Sequence, residues 1–267
     1  MTRVAILGVG KLGEALLSGL LRAGRSPQEL VVTARRPDRA KALTEKYGVE
    51  VIGNHSAAKV ADVLLLTVKP QDMGSLLAEL RGTVPSDRLV VSMAAGITTA
   101  TIEEAMPEGT PVVRVMSNTP VLVDEAMSAI SPGTHATEEH LALVEDLLAG
   151  VGRVIRVPES QQDAVTALSG SGPAYFFYLV EAMTDAGILL GLPRQVAHDL
   201  IVQTALGAAL MMRDSGEHPV KLREAVTSPA GTTISAIRVM EDHGVRAAML
   251  SALEAARNRS QQLATGG

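Results

Sequence analysis

The chain has 267 residues, enough for one large domain or two ordinary ones. Its 46% apolar and 20% charged residues mark a globular protein and exclude a disordered one; a net charge of −5 without a basic, aromatic-interleaved stripe speaks against nucleic acid as a partner. The absence of cysteine excludes disulfides, a thiolate nucleophile and Cys-based zinc or iron–sulfur sites, and fits a reducing compartment.

The opening MTRVAILGVG reads as a short strand, Val4–Leu7, and not as a signal peptide, whose apolar run is longer. Lys11–Ala23 follows with helical spacing, Leu12, Ala15, Leu16, Gly19 and Leu20 falling on one side. Leu30–Thr33 is the next strand, Arg39–Tyr47 the next helix, and Gly48 its cap. Val63–Val68 is a buried strand ended by Pro70. Leu89–Met93, Val112–Met116, Met127–Ile130 and Val154–Val157 are further strands, with a helix from Thr137 to Gly150 before the last. Short apolar strands separated by helices predict an α/β, Rossmann-type, doubly wound and largely parallel sheet over residues 1–158.

The pattern changes at Pro158. Residues 159–267 hold no convincing strand and predict an all-α domain. Ser160 with Asp163 resembles a capping box. Gly170–Ser171–Gly172 interrupts, then Pro173 opens a helix to Leu190 and Pro193 another to Ser215. Helices at Val220–Val226, Thr233–His243 and Val245–Ala264 complete the series, and Ala264–Gly267 is expected to fray. Several of these helices are apolar nearly all round, which predicts a subunit interface and a homo-oligomer. Tyr175–Tyr178 holds four of the five aromatic residues and reads as helix core, not as a base-stacking platform. No window is long and apolar enough for a membrane span, so no membrane partner is expected and the default location is cytoplasmic.

Gly8-Val9-Gly10-Lys11-Leu12-Gly13 is a G-x-G-x-x-G loop set between a strand and a helix, the context that marks a dinucleotide site. Gly8 permits the tight turn, Gly10 lets the backbone approach a pyrophosphate, and Gly13 lets helix and strand pack closely. The helix start offers free N–H groups to the phosphates. After the second strand, Val32-Thr33-Ala34-Arg35-Arg36-Pro37 lacks the acid that would accept from an NAD ribose. Arg35 and Arg36 suit a 2′-phosphate, so the expected cofactor is NADPH, with NADH possible. FAD is the rival occupant, but no flavin motif follows.

At the other end, Ser228–Thr233 leads into a helix beginning near Thr232. Its free N–H groups make a place for a small carboxylate, and Ser228, Thr232 and Thr233 add hydroxyls. On the residues alone, N-capping is the favoured reading of these hydroxyls. The six histidines form no ligand pair, so no catalytic metal is expected. His218 reads as the opening of the helix before Pro219.

The segment from Val226 to Glu241, VTSPAGTTISAIRVME, resembles the signature of pyrroline-5-carboxylate reductases. The likeness extends to Val68-Lys69-Pro70-Gln71, Ala94-Ala95-Gly96-Ile97, Arg114–Pro120 and Gly170–Tyr175, in order across nearly the whole chain. It implies a Rossmann-type domain, an α-helical dimerisation domain and a larger ring of dimers. It also implies hydride transfer from NAD(P)H to the imine carbon of Δ1-pyrroline-5-carboxylate, giving L-proline. By resemblance, Leu7–Leu12 form the pyrophosphate loop, Arg35 and Arg36 read the 2′-phosphate, and Asn54 meets the adenosine ribose. Thr67, Val68, Lys69 and Pro70, with Ala94, Ala95 and Gly96, line the nicotinamide half. Glu217, Ser228, Gly231, Thr232 and Thr233 belong to the substrate site, where the signature turns the reading from capping to binding. Thr233 is the candidate catalytic residue, bonding the imine nitrogen; no general acid is evident, so the proton comes with an iminium or through water. Ser117 and Ala230 depart from the family's usual Pro and Gly. Two rivals need other features: a β-hydroxyacid dehydrogenase needs a catalytic lysine on a central helix of the second domain, and a non-catalytic NADPH-binding protein has no use for the Ser228–Thr233 loop. After Lys69 the only lysine is Lys221.

Overall fold

A computed structural model describes residues 2–264. In chain order, β1 (Val4–Leu7), α1 (Lys11–Arg22), β2 (Leu30–Thr33), α2 (Pro37–Tyr47), β3 (Glu50–Val51), α3 (Asn54–Val60), β4 (Val63–Leu66) and α4 (Pro70–Leu80) come first. Then come β5 (Leu89–Ser92), α5 (Thr99–Glu103), β6 (Val112–Met116), β7 (Ala126–Pro132), α6 (Glu138–Ala149) and β8 (Gly152–Arg156). The remainder is helical: α7 (Gln162–Val165), α8 (Gly172–Leu189), α9 (Arg194–Ser215), α10 (Pro219–Ala225), α11 (Thr232–Asp242) and α12 (Val245–Ala264).

One compact unit runs to Ser171 and takes up the chain again from Ala256; the other is Gly172–Ala255. The first is built on a sheet ordered β3-β2-β1-β4-β5-β6-β7-β8. The strands from β3 to β6 are parallel, β7 runs antiparallel to β6, and β8 is parallel to β7. Both faces of the sheet are covered, so the strands are continuous apolar runs. Alternation then divides each strand between two cores: Val4 and Ile6 join α1 and α6 in one, Ala5 and Leu7 join α3 and α4 in the other. The chain winds outward from β1 to β3, then restarts at β4 on the other side of β1. That reversal opens a crevice at the carboxyl ends of β1 and β4, where α/β sheets bind their ligands.

The observed elements correct several boundaries. β4 stops at Leu66, and Pro70 begins α4 instead of ending a strand, because its fixed φ suits the first helical turn. α2 likewise starts earlier than Arg39, at Pro37. Ser160 and Asp163 form no capping box: Ser160 lies in a 3₁₀ turn, and the Asp163 carboxylate accepts from Ser260 Oγ at 2.7 Å. Residues 265–267 of the tail expected to fray lie outside the described residues, and Ala264 closes α12. The first compact unit also takes in residues 159–171. Gln162, fully buried, donates to Ala129 O at 3.2 Å and Ser131 Oγ at 2.8 Å, which fastens this segment to β7.

Helices α1 and α2 are clamped through Glu14. Its carboxylate accepts from Arg39, from Lys46 Nζ at 3.0 Å and from the Tyr47 hydroxyl at 2.8 Å. The Arg39 hydrogen bond is the largest cause holding the carboxyl at about 2 instead of the ordinary 4.5, against an opposing push from burial. A depressed carboxylate contributes stability above its unfolded value and loses it as pH falls through the folded value. Glu14→Gln is therefore expected to be less stable than wild type at neutral pH, the gap closing as pH drops from about 4.5 towards about 2. Denaturant midpoints across that window check this, and a gap independent of pH would contradict it.

In the second unit, α8 and α9 form a helical hairpin. Gly191, at φ +93°, ends α8 in a Schellman turn, with Leu192 N–H donating to Gly187 O at 3.0 Å and Gly191 N–H to Ile188 O at 2.9 Å. Gly187 lets α9 approach, since a Cβ there would lie 2.7 Å from that of Ala197. The aromatic run is not core within this chain: Phe176, Phe177 and Tyr178 are 64%, 69% and 71% exposed. An all-round apolar helix covered on one side by α9 leaves its other side bare.

Candidate functional site

The crevice of the first unit gathers the loops that leave β1, β2, β4 and β5. Parallel register sets Leu7 beside Thr33 and Leu66, and Leu66 beside Ser92, so these loops start at one level. Gly8 has φ +89°, a conformation that favours glycine. Its N–H donates to Thr33 Oγ1 at 3.1 Å, and a Cβ there would run into Val68 Cγ1. Gly13 is buried where a Cβ would lie 2.7 Å from Thr67 Oγ1. Thr67 Oγ1 in turn donates to Leu7 O and Gly8 O, each at 3.1 Å, tying the β4 loop to the β1 turn.

Gly10 differs from both. It is the exposed N-cap of α1, at φ −85°, and nothing lies within 4 Å of where its Cβ would be. Glu14 N–H makes the first helical bond, donating to Gly10 O at 2.9 Å, so the N–H groups of Lys11, Leu12 and Gly13 precede the helical ladder. No side chain caps them. Open space at Gly10 before uncapped N–H groups is a cradle into which a pyrophosphate fits.

Arg35 and Arg36 stand past β2, both exposed. Arg35 Nη2 lies 3.2 Å from Asp72 Oδ2 in α4, and Arg36 Nη2 lies 3.4 Å from Asp38 Oδ2. Asn54 opens α3 past β3, and its Nδ2 donates to Glu79 Oε2 at 2.8 Å. Val68, Lys69 and Pro70 carry the chain from β4 into α4. Ala94 and Gly96 are buried beyond β5, Ala95 is half-buried, and Gly96 turns the chain at φ +75°. Sequence reasoning missed Thr33 and Glu14, which position the glycine loop and α1; a hydroxyl at a strand end gives no signal apart from its fold.

The second unit holds the Ser228–Thr233 loop by itself. Thr227 Oγ1 donates to Arg223 O at 2.6 Å, which fastens the loop to α10. Ala230 sits at φ +57°, an uncommon conformation for a residue with a Cβ, and Gly231 N–H donates to Ser228 O at 3.1 Å. The N-cap of α11 is Gly231, not Thr232, and no side chain caps it. A Cβ at Gly231 would come within 2.5 Å of Ser228 Oγ. Thr232 and Thr233 open α11, whose first-turn N–H groups precede the bond from Ser235 N–H to Gly231 O at 3.4 Å. Capping by hydroxyl is therefore corrected: the backbone donors stay open. Glu217 is exposed between α9 and α10, where it pairs with Lys221 at 3.0 Å. His218 does open α10, accepting from Val220 N–H at 3.3 Å.

Among the described residues, no group of three or more His, Asp or Glu could hold a metal ion. No helix among them is long and apolar enough to cross a membrane.

Residues 159–263 match the family described as pyrroline-5-carboxylate reductase dimerisation, and residues 3–96 the family described as NADP oxidoreductase, coenzyme F420-dependent. A pyrroline-5-carboxylate reductase of Corynebacterium melassecola is 47% identical, over 98% of this chain and 99% of its own length. Another from Methanosarcina acetivorans is 43% identical, over 98% and 97%. The solved pyrroline-5-carboxylate reductase of Coxiella burnetii superposes with a TM-score of 0.92 at 36% identity, covering 98% of each chain. The pyrroline carboxylate reductase of Plasmodium falciparum, solved with NADP bound, gives 0.89 at 26% identity, again over 98% of each. With this likeness running the length of the chain, the protein belongs to the pyrroline-5-carboxylate reductase family.

Proposed function

We propose that this protein reduces Δ1-pyrroline-5-carboxylate to L-proline with NADPH, NADH being the poorer donor. The observation that carries this reading is the whole-chain likeness to reductases of that name. The glycine cradle supports a dinucleotide, and the arginines beyond β2 support a 2′-phosphate. Bound NADPH would supply the hydride that reaches the imine carbon. Leu7–Gly13 hold the pyrophosphate on open N–H groups, Arg35 and Arg36 hold the 2′-phosphate, and Asn54 holds the adenosine ribose. Thr67–Pro70 and Ala94–Gly96 line the other half, beyond β4 and β5.

The substrate carboxylate is held at the start of α11 by the N–H groups near Thr232, with Ser228 beside them across Gly231. Thr233 bonds the imine nitrogen and fixes the ring, so its role is positioning and polarisation instead of proton transfer. Glu217 flanks the site. We also read residues 1–158 as the dinucleotide domain and residues 159–267 as the substrate and dimerisation domain. The bare apolar faces of α8 and α9 then meet a second copy, and such dimers assemble into a ring.

Purified protein is expected to oxidise NADPH when given fresh pyrroline substrate and to yield L-proline; no turnover would overturn the reading. Thr233→Ala is expected to lower kcat about tenfold or more while leaving the melting temperature in place. Unchanged kinetics would remove Thr233 from the chemistry.

A further inference from the structure

The loop Met93–Thr98 is fastened at both ends. At its start, Met93 N–H donates to Leu66 O at 3.0 Å and Ala94 N–H to Ser92 Oγ at 3.4 Å. At its end, Thr99 gives both its donors to one carboxylate: its N–H to Glu159 Oε1 at 2.8 Å and its hydroxyl to Glu159 Oε2 at 2.6 Å. Arg114 Nη1 also donates to Glu159 Oε1, at 3.3 Å. Arg114 stands on β6 beside Ser92, with its side chain only 5% exposed. Its other terminal nitrogen finds no partner among the described residues, so the buried guanidinium leans on Glu159 as its counter-charge.

Glu159 is not needed to cap α5. Thr98 already does so, its hydroxyl accepting from Thr101 N–H at 3.2 Å. What Glu159 adds is the placement of Thr99 relative to β6. The arm that carries it is itself held, through the buried Gln162, on β7. Between the two fastenings lie Ala94, Ala95 and the left-handed Gly96. The adenosine end of a dinucleotide at the glycine loop lies toward β2, so its other half extends over β4 and β5 and meets this segment.

We propose that Glu159, steadied by Arg114, is a positioning residue that sets the Ala94–Gly96 segment against the nicotinamide half of the cofactor. This rests on the reductase reading above. The test uses the full-length enzyme with Glu159→Gln and Thr99→Val. Glu159→Gln leaves one acceptor oxygen for three donors and strips Arg114 of its counter-charge. Thr99→Val removes only the hydroxyl bond and keeps the Arg114 pair, so it stays informative should Glu159→Gln fail to fold.

Both variants are expected to lower kcat, Glu159→Gln by about ten- to a hundredfold and Thr99→Val by less. NADPH affinity should stay within about twofold, because the pyrophosphate and 2′-phosphate contacts lie elsewhere. Amide hydrogen exchange across residues 94–99 should quicken in both variants. A lower melting temperature with unchanged kcat, or unchanged exchange in that segment, overturns the positioning role. Wild-type protein that fails to reduce the pyrroline overturns the reductase reading instead.

Discussion

Replacing Arg35 and Arg36 together by alanine should weaken NADPH by about 1.5–3 kcal/mol, about tenfold to a hundredfold in Kd, and leave NADH nearly untouched. The magnitude is that of charge-assisted hydrogen bonds to one phosphate. Both side chains stand in water at the end of β2, paired with Asp72 and Asp38 at the surface, where such pairs contribute little to stability. Melting temperature should therefore hold steady. Fluorescence titrations with both dinucleotides at one ionic strength check the ratio, and the NADPH loss should shrink as salt rises. An equal loss for both cofactors would place the 2′-phosphate elsewhere.

The glycines of the β1 loop should separate folding from binding. Gly8→Ala forces a Cβ onto a residue at φ +89° and against Val68, whose backbone nitrogen would lie 3.2 Å away. A left-handed L-residue and an overpacked turn together should destabilise the fold by about 1–3 kcal/mol and remove dinucleotide binding as well. Gly10→Ala meets no protein atom within 4 Å and needs no unusual φ. Its stability should match wild type to within about 0.5 kcal/mol, while NADPH binding falls about tenfold or more because the methyl occupies the pyrophosphate's approach. Calorimetry and a binding titration on each variant read the two effects apart. Normal affinity in Gly10→Ala would mean that no phosphate lies against that backbone.

Much of the fold could be read along the chain because its signals are local. β1, β2 and β6 are short apolar runs with turn residues behind them, and their observed bounds coincide with those expected. α6 begins where Thr137 accepts from His140 N–H, as a helix-starting threonine should. β3 has only two residues and α3 only seven, too short for periodicity to register. Pro70 misled because proline ends strands and opens helices alike, and only the packing of Met73 and Leu77 into the core tells which. The aromatic run on α8 misled for another reason. Apolarity says that a face wants cover, not whether cover comes from the same chain.

For the site, the sequence by itself determined the two turns that need special backbone: glycines at Gly8–Gly13, and the Ser228–Thr233 lead into a helix. Both depend on neighbouring residues within a few positions, although only the folded structure shows that the N–H groups before α11 stay uncapped. Tertiary structure alone decided that β7 runs antiparallel to β6, that Thr67 ties the β4 loop to the β1 turn, and that Glu159 reaches back to Thr99 and Arg114. Those partners are far apart along the chain. Hydrogen-bond geometry between distant groups exists only once the sheet has fixed which strand lies beside which.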